Sequence, residues 1–224
     1  MFDALDKNWE NIRTGTYITC LSEHENNEDA HGRLSMWRAF GVNATRVALV
    51  ANVPFFAGAA LSLRIAFSPV AYFTEAQLYA ELEEMISNIT KEAEFVRTIP
   101  RPMLLDLFYR VFISVTVSLK HEGFSEEKEW RVIYAPNTLG ASDLMKSEIH
   151  SIAGVPQRLF VLPFDREVSD DIASLDLGII FDRLIIGPSP YPYSMSEAFV
   201  EELNKIGVAD ARNRVVGSGI PLRS

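Results

Sequence analysis

The feature that most constrains the fold is a long segment of helical period in the middle of the chain, between two sets of short β-branched runs. Residues 74–98 place apolar side chains at helical spacing behind a capping box formed by Thr74 and Gln77. Pro100 and Pro102 then end this helix. Because the strand-like runs before and after it do not alternate regularly with helices, the pattern predicts an α+β fold.

The remaining periodic segments fit the same class. A second helix is predicted to begin at Arg101-Pro102, and the β-branched run 113–117 fits either its last turns or a strand. Strands are predicted at residues 16–20, 46–52, 61–67, 129–135, 158–163, 183–186 and 214–216. Further helices are predicted at residues 1–13, 34–40 and 195–206, the last behind a capping box of Ser194 and Glu197. We expect one domain over residues 1–224, with a mixed or antiparallel sheet and flanking helices.

Composition narrows the classes of function. The formal net charge of −9 argues against an extended nucleic-acid surface, but is compatible with a small anionic ligand held by a few arginines. Cys20 is the only cysteine, so the sequence contains no disulfide framework, and we expect this residue to be a small buried hydrophobe. The longest apolar stretch, residues 103–119, is interrupted by Asp106 and Arg110 and is shorter than the ~20 residues of a membrane span. We expect a cytoplasmic protein that does not contact a membrane.

A charged cluster is predicted where the strand at 129–135 begins. In an extended segment residues i and i+2 share a face, so Glu127 and Glu129 would enter one cleft. Trp130 would then face the opposite way, and Arg131 would return to the side of the carboxylates. Two carboxylates held in a partly dry site have separated pKa values, and one can act as a base or stabilise a cation. The alternative is a solvated acidic face over residues 122–129 that leads into an edge strand.

The second candidate site is Trp37 beside Arg38. A Trp ring beside a guanidinium can stack on a flat ligand, and the guanidinium can bind a phosphate. The alternative is that Trp37 anchors the core and Arg38 extends over its ring. No metal site is predicted, because the spacing of the 4 histidines matches no metal motif.

Five motifs follow one another along nearly the whole chain. They are Cys20–Glu23, Met36–Gly41, Lys120 with Glu127–Arg131, Ile185–Pro188 and Ser218–Arg223. Together they resemble a bacterial family of unknown function, DUF2971. The chain differs from the family in two respects, since Phe40 stands where Tyr is usual and the N-terminal segment of the type Leu-Tyr-His-Tyr-Thr-Ser is missing.

The resemblance implies two different functions. The Glu-x-Glu motif before a strand is similar to the catalytic glutamate motif of ADP-ribosyltransferase-like enzymes, which implies NAD or a nucleotide-like ligand. In that case Glu129 would stabilise the ribosyl oxocarbenium ion and Glu127 would assist. The candidate catalytic residues are Glu127, Glu129 and Arg131, and the candidate ligand-binding residues are Ser22, Trp37, Arg38, Lys120 and Trp130.

The missing N-terminal segment favours the other function, a degenerate module that binds a small ligand or a partner. It would also leave an exposed apolar surface where an N-terminal strand should lie, which favours self-association. The sequence therefore leaves open whether the chain is an enzyme.

Overall fold

The structure is a computed structural model, and it describes residues 9–10, 12–40, 46–53 and 57–221. Its strands are β1 (Tyr17–Ser22), β2 (Val47–Ala51), β3 (Ile65–Pro69), β4 (Ala71–Phe73), β5 (Leu119–His121), β6 (Glu129–Tyr134), β7 (Lys146–Ile152), β8 (Val155–Val161), β9 (Phe181–Ile186) and β10 (Val215–Gly217). Its helices are α1 (Leu34–Phe40), α2 (Ala57–Leu63), α3 (Glu75–Lys91), α4 (Ala93–Thr98), α5 (Arg101–Ser118), α6 (Pro136–Leu139), α7 (Leu177–Ile180), α8 (Pro192–Lys205) and α9 (Ala211–Arg214). The predicted α+β class is confirmed.

Some sequence predictions concern residues that the structure does not describe. Residues 9–10 and 12–15 are helical, but the first eight residues of the predicted helix 1–13 and Asn11 lie outside the described residues. The same is true of Gly41, Leu222 and Arg223 in the family motifs.

The chain divides into two compact units. The first comprises the described residues of Met1–Glu23 and Ile65–Gly140, and the second comprises those of His24–Arg64 and Ala141–Ser224. Each unit is therefore assembled from two separate stretches of sequence. The prediction of one domain over residues 1–224 stays a prediction.

The sheet of the first unit is antiparallel and has β6 at its centre, between β1 and β3. Val132, Ile133 and Tyr134 are all buried, so the second half of β6 is covered on both faces. The first half of β6 carries Glu129 and Arg131 on one face, as the alternation of a strand requires. A separate parallel pair joins β4 to β5.

The helices of the first unit begin largely where the sequence predicts. The capping box is present, because the N–H of Gln77 donates to Thr74 Oγ1 at 3.2 Å and the N–H of Thr74 donates to Gln77 Oε1 at 2.9 Å. The run 113–117 belongs to α5 and not to a strand. Among the described residues, no helix has the length and apolar character that a membrane crossing needs.

The sheet of the second unit is mixed, with β9 at its centre. This strand runs parallel to β10 and antiparallel to β2. Its apolar side chains form a core with α8, α9 and β10 that contains Phe181, Leu184, Ile186, Val200, Leu203, Val208, Ala211 and Val215. Helix α8 begins at Pro192, so the predicted capping box at Ser194 is wrong, because a proline in the first turn starts a helix without needing its own N–H. Gly207, with φ +80°, follows the end of this helix.

Two other segments of the second unit differ from the sequence prediction. The predicted strand 61–67 is wrong in its first half, since α2 continues to Leu63 and β3 begins only at Ile65. The Ala-rich composition of α2 explains this helix. The strand predicted at 158–163 is β8, which forms a hairpin with β7, a strand that the sequence did not predict.

Candidate functional site

The predicted charged cluster exists, and the ammonium group of Lys120 lies at its centre. This side chain, on β5, donates to Glu127 and, at 3.0 Å, to Glu129 Oε2. The ring of Phe124 lies beside the same nitrogen, with its centroid 4.9 Å away. One cation therefore holds two carboxylates and also contacts an aromatic face.

Arg131 binds the other side of Glu129. Its Nε donates to Glu129 Oε1 at 2.7 Å, and its Nη1 donates to the carbonyl oxygen of Val117 at the end of α5. Across the sheet, Cys20 on β1 lies directly opposite Arg131, and its thiol hydrogen-bonds to Glu129. Both carboxylate oxygens of Glu129 are thus occupied, and the residue is only 6% exposed.

These contacts decide the charge state of Glu129. Burial on its own would raise the pKa of this carboxyl, but hydrogen bonds from Arg131, Cys20 and Lys120 outweigh burial and lower its pKa to about 2. Burial likewise acts to lower the pKa of Lys120, yet its bonds to Glu127 and Glu129 raise it. Glu129 is consequently a fixed anion and Lys120 a fixed cation at neutral pH.

The Cys20 thiol is held in its neutral form. Burial, followed by the hydrogen bond and charge of Glu129, raises the pKa of Cys20 to about 11. The predicted buried hydrophobe is therefore wrong, since Cys20 is an exposed residue whose sulfur contacts a carboxylate. The sequence did carry a signal for this contact. In the strand β1, Cys20 lies on the same face as Ser22, which is a candidate site residue.

The backbone conformation that brings Glu127 into the cluster differs from the extended segment that the sequence predicts. It ends a 3₁₀ turn, Glu122–Glu127, and Lys128 then takes a left-handed conformation with φ 44° before β6 begins. The segment is therefore not extended, although both carboxylates still meet at Lys120. Ser22 fixes this turn, because its hydroxyl donates to the carbonyl oxygen of Glu127.

Tyr72 is a member of the cluster that the sequence did not reveal. Its phenol oxygen accepts the backbone N–H of Glu129 at 2.7 Å, so β4 also fixes the start of β6. A tyrosine on a short edge strand carries no motif that would have indicated this contact.

Trp130 lies on the opposite face of β6, as predicted from strand alternation. Its ring stacks on Phe67 with centroids 4.8 Å apart, and its Nε1 donates to Glu23 Oε1 at 2.7 Å. The ring is only partly buried. Trp130 therefore does not contribute to the face that carries Glu129.

Trp37 and Arg38 belong to the second unit. Trp37 is buried, with 6% of the residue exposed, and its Nε1 donates to the carbonyl oxygen of His31 at 2.8 Å. Arg38 is exposed at the next position of α1. This arrangement is the one expected of a core anchor, and the role of either residue in ligand binding stays a prediction.

A cleft of about 500 Å³ lies in the second unit. Its polar lining consists of Ser62, Arg64, Ser142, Asp143, Ser169 and Asp171. None of the residues predicted to bind or to react lines it. Among the described residues, no group of three or more His, Cys, Asp or Glu is arranged to hold a metal ion.

The chain was compared with known protein families, with curated proteins and with solved structures. The model of a family described as a protein of unknown function, DUF2971, matches residues 36–132. This range includes Trp37, Arg38 and the whole run from Lys120 to Arg131. No curated protein and no solved structure matches the chain. The resemblance predicted from the sequence is confirmed over residues 36–132, where the chain is matched to the DUF2971 family of unknown function. The motifs Cys20–Glu23, Ile185–Pro188 and Ser218–Arg223 lie outside the matched residues and stay a prediction.

Proposed function

We propose that this protein is a non-catalytic module that binds a protein partner. The observation that carries the proposal is the surface of α5. Six large apolar side chains of this helix are between 39% and 58% exposed, namely Met103, Leu105, Leu107, Val111, Phe112 and Val115. An apolar helix surface of this size in contact with water is typical of a protein interface.

The distribution of these side chains on α5 supports an interface of substantial width. At 100° per residue they cover about 200° of the helix circumference. Of the residues in α5, only Ile113 and Ser118 are buried. The helix is therefore fixed to its unit mainly near its C-terminal end, where the carbonyl oxygen of Val117 accepts from Arg131.

The charges of the two helices that precede α5 in the sequence indicate the chemistry of the partner. Helices α3 and α4, which precede α5, carry five glutamates against one lysine and one arginine, and Glu92 lies between the two helices. Opposite charges around an apolar centre steer association and favour the correct partner. We therefore expect a partner with an apolar face surrounded by basic residues.

The charged cluster supports a structural role and not turnover. A catalytic carboxylate must face the group in which positive charge develops, but both oxygens of Glu129 are bound to protein cations. Lys120 and Arg131 balance the charges of Glu127 and Glu129, so these four groups have no surplus charge to attract an anionic ligand. The neutral Cys20 thiol is a weak nucleophile at physiological pH.

Site-specific photocrosslinking in cells tests the partner surface. We expect a benzophenone amino acid at Phe112 to give one discrete adduct, which disappears when Leu105→Glu is added. The matched control is the same amino acid at Tyr193, an aromatic residue that is 87% exposed on α8. Absence of an adduct at Phe112, or the same adducts from Tyr193, would contradict the proposal.

A second candidate function is an ADP-ribosyltransferase-like enzyme that uses NAD or a nucleotide-like ligand. One observation favours it, since Glu127 and Glu129 do converge at a single point, the Nζ of Lys120. In this case a ligand would have to displace Lys120 before it could contact Glu129. The family assignment itself names no activity.

NAD turnover and thermal unfolding of Glu129→Gln separate the two functions. A binding module consumes no NAD, and the variant loses stability because Gln cannot pair with Arg131 and Lys120. Turnover by the wild type, abolished in Glu129→Gln without a change in Tm, would instead establish the enzyme. As part of the same proposal, we expect the protein to be bacterial and cytoplasmic.

A further inference from the structure

The hairpin formed by β7 and β8 has an unusual position in the second unit. Its strands pair only with each other among the described strands, and every residue of β7 is exposed. Ile149 is 66% exposed, and Ile152 and Val155 near the turn are 44% and 57% exposed. A two-stranded hairpin with so little cover is marginally stable in water.

The turn determines which backbone groups face outward. Two residues connect the strands, Ala153 with φ 50° and Gly154 with φ 83°, as a type I′ turn requires. In such a hairpin the flanking residues, Ile152 and Val155, form a hydrogen-bonded pair, and pairing alternates from there. The outward backbone groups of β7 are therefore those of residues 147, 149 and 151.

The two edges of the hairpin are not equivalent. On β8 the first outward position is Pro156, which has no N–H and blocks pairing with another strand. On β7 none of the three outward positions is a proline, and the strand is seven residues long. The β7 edge is thus the one able to accept a further strand.

We propose that the β7 edge pairs with β7 of a second copy of this chain, antiparallel about a two-fold axis at Ile149. The proposal does not depend on the proposed function, because it concerns other residues. With this centre, each of the seven residues of β7 lies opposite a β7 residue of the second copy. Lys146 then lies opposite Ile152 of the second copy, and Ile149 lies opposite Ile149. A centre at residue 147 or 151 would pair fewer strand residues.

Charge complementarity supports the second copy as the occupant. About Ile149, Glu148 of each copy lies opposite His150 of the other. Within one chain Glu148 already bonds to His150 at 2.7 Å, so the four side chains would form a square of alternating acceptor and donor. A parallel, in-register pairing would place Glu148 beside Glu148, which is repulsive.

The oligomeric state tests this inference. We expect sedimentation equilibrium to show a concentration-dependent species of twice the 25.2 kDa chain mass. Ile149→Arg should remove it, because two guanidinium groups would then face each other at the axis. The matched control is Ile179→Arg on α7, an isoleucine that is 60% exposed, which should leave the dimer intact.

A cysteine crosslink tests the register without relying on Ile149→Arg. The Cα atoms of a hydrogen-bonded antiparallel pair lie about 5.5 Å apart, within disulfide range, so Ile149→Cys should form a dimer on mild oxidation. Ser147→Cys should not, since its two copies lie four residues apart along the strand, about 13 Å. The wild type, with Cys20 alone, gives the baseline. A monomer at all concentrations, or equal crosslinking of the two cysteine variants, would overturn the inference.

Discussion

The two Trp-Arg pairs of this chain look alike in sequence and have opposite roles in the structure. In β6 the arginine is the inward residue, since Arg131 is ion-paired to Glu129 while Trp130 stacks on the opposite face. In α1 the tryptophan is the inward residue, since Trp37 is buried and Arg38 is exposed. The dipeptide therefore does not determine which of its members is buried.

The difference follows from the surroundings of each pair. On a strand, neighbouring residues face opposite ways, and the face of Arg131 is the one that already holds Glu129 and Cys20. On α1 the space beside Trp37 is made by Gly32 and Gly187, where a Cβ would lie 2.6 Å and 2.8 Å from ring atoms. The first pair is held by charge and the second by packing.

The largest expected effect is on packing at Trp37. Trp37→Ala should lower the free energy of unfolding by about 4 kcal/mol, because it leaves a cavity and an unsatisfied carbonyl at His31. Trp130→Ala should lower it by only about 1–2 kcal/mol, because that ring is already partly in water. Urea denaturation measures both, and equal losses would contradict the contrast between the two pairs.

For the two arginines, the loss in free energy of unfolding should be larger in β6 than in α1, the reverse of the order for the tryptophans. Arg131→Ala should lower the free energy of unfolding by about 3 kcal/mol, because Glu129 stays buried and loses one of its cations. Arg38→Ala should change it by less than about 0.5 kcal/mol, as is usual for an exposed residue. A larger loss for Arg38→Ala than for Arg131→Ala in urea denaturation would invalidate the charge-held description of β6.

Acid titration measures the charge-held pair directly. The pKa of Glu129 is lowered from 4.5 to about 2 on folding, so its contribution is present above pH 4.5 and is lost as the pH falls toward 2. At 1.36 kcal/mol per pKa unit this amounts to about 3 kcal/mol. The stability difference between wild type and Glu129→Gln should therefore shrink between pH 5 and pH 2. A difference that does not depend on pH would show that Glu129 is not ionised by these contacts.

Local sequence patterns predicted the parts of this fold that depend on neighbouring residues. The capping box at Thr74 and the bounds of α1 were both correct. The same patterns failed where distant contacts decide, as for the carboxylate of Glu127, which arrives through a left-handed Lys128 and not along a strand. They also failed at the start of α8. Pro192 and Ser194 are both residues that can start a helix, and α8 begins at the proline.

The candidate site divides in the same way. Alternation on β6 predicted that Glu129 and Arg131 share a face and that Trp130 does not. It could not predict that Tyr72 binds the backbone of Glu129, because this contact joins residues that lie 57 positions apart in the sequence. The sequence identified the charged groups, and tertiary pairing decided that they neutralise one another.

Gly32 offers a smaller test of the packing-held pair. Its φ is +65°, and an added Cβ would lie 2.6 Å from the Trp37 ring. Gly32→Ala should therefore lower the free energy of unfolding by about 2 kcal/mol through backbone strain and overpacking. Gly217→Ala is the control, since its Cβ would meet no atom within 4 Å. Equal stability of the two variants in urea would mean that the loop before α1 moves away from Trp37 without strain.

The smallest expected effect is a change in the reactivity of Cys20. Glu129 raises the pKa of this thiol by a hydrogen bond and by its charge, after burial, whereas Arg131 lowers it. Glu129→Gln removes the carboxylate and leaves the arginine, so alkylation by iodoacetamide at pH 8 should accelerate by roughly tenfold. Mass spectrometry of the labelled chain measures the rate.

Loss of stability alone could also expose the thiol, and Trp37→Ala separates the two causes. That variant is expected to be destabilised at least as much as Glu129→Gln, but it leaves the contacts of Cys20 with Glu129 and Arg131 unchanged. Acceleration in Glu129→Gln alone shows that the charge of β6 controls the thiol. Acceleration in both variants would show that the thiol reacts through unfolding, and that the two Trp-Arg pairs differ less than their contacts indicate.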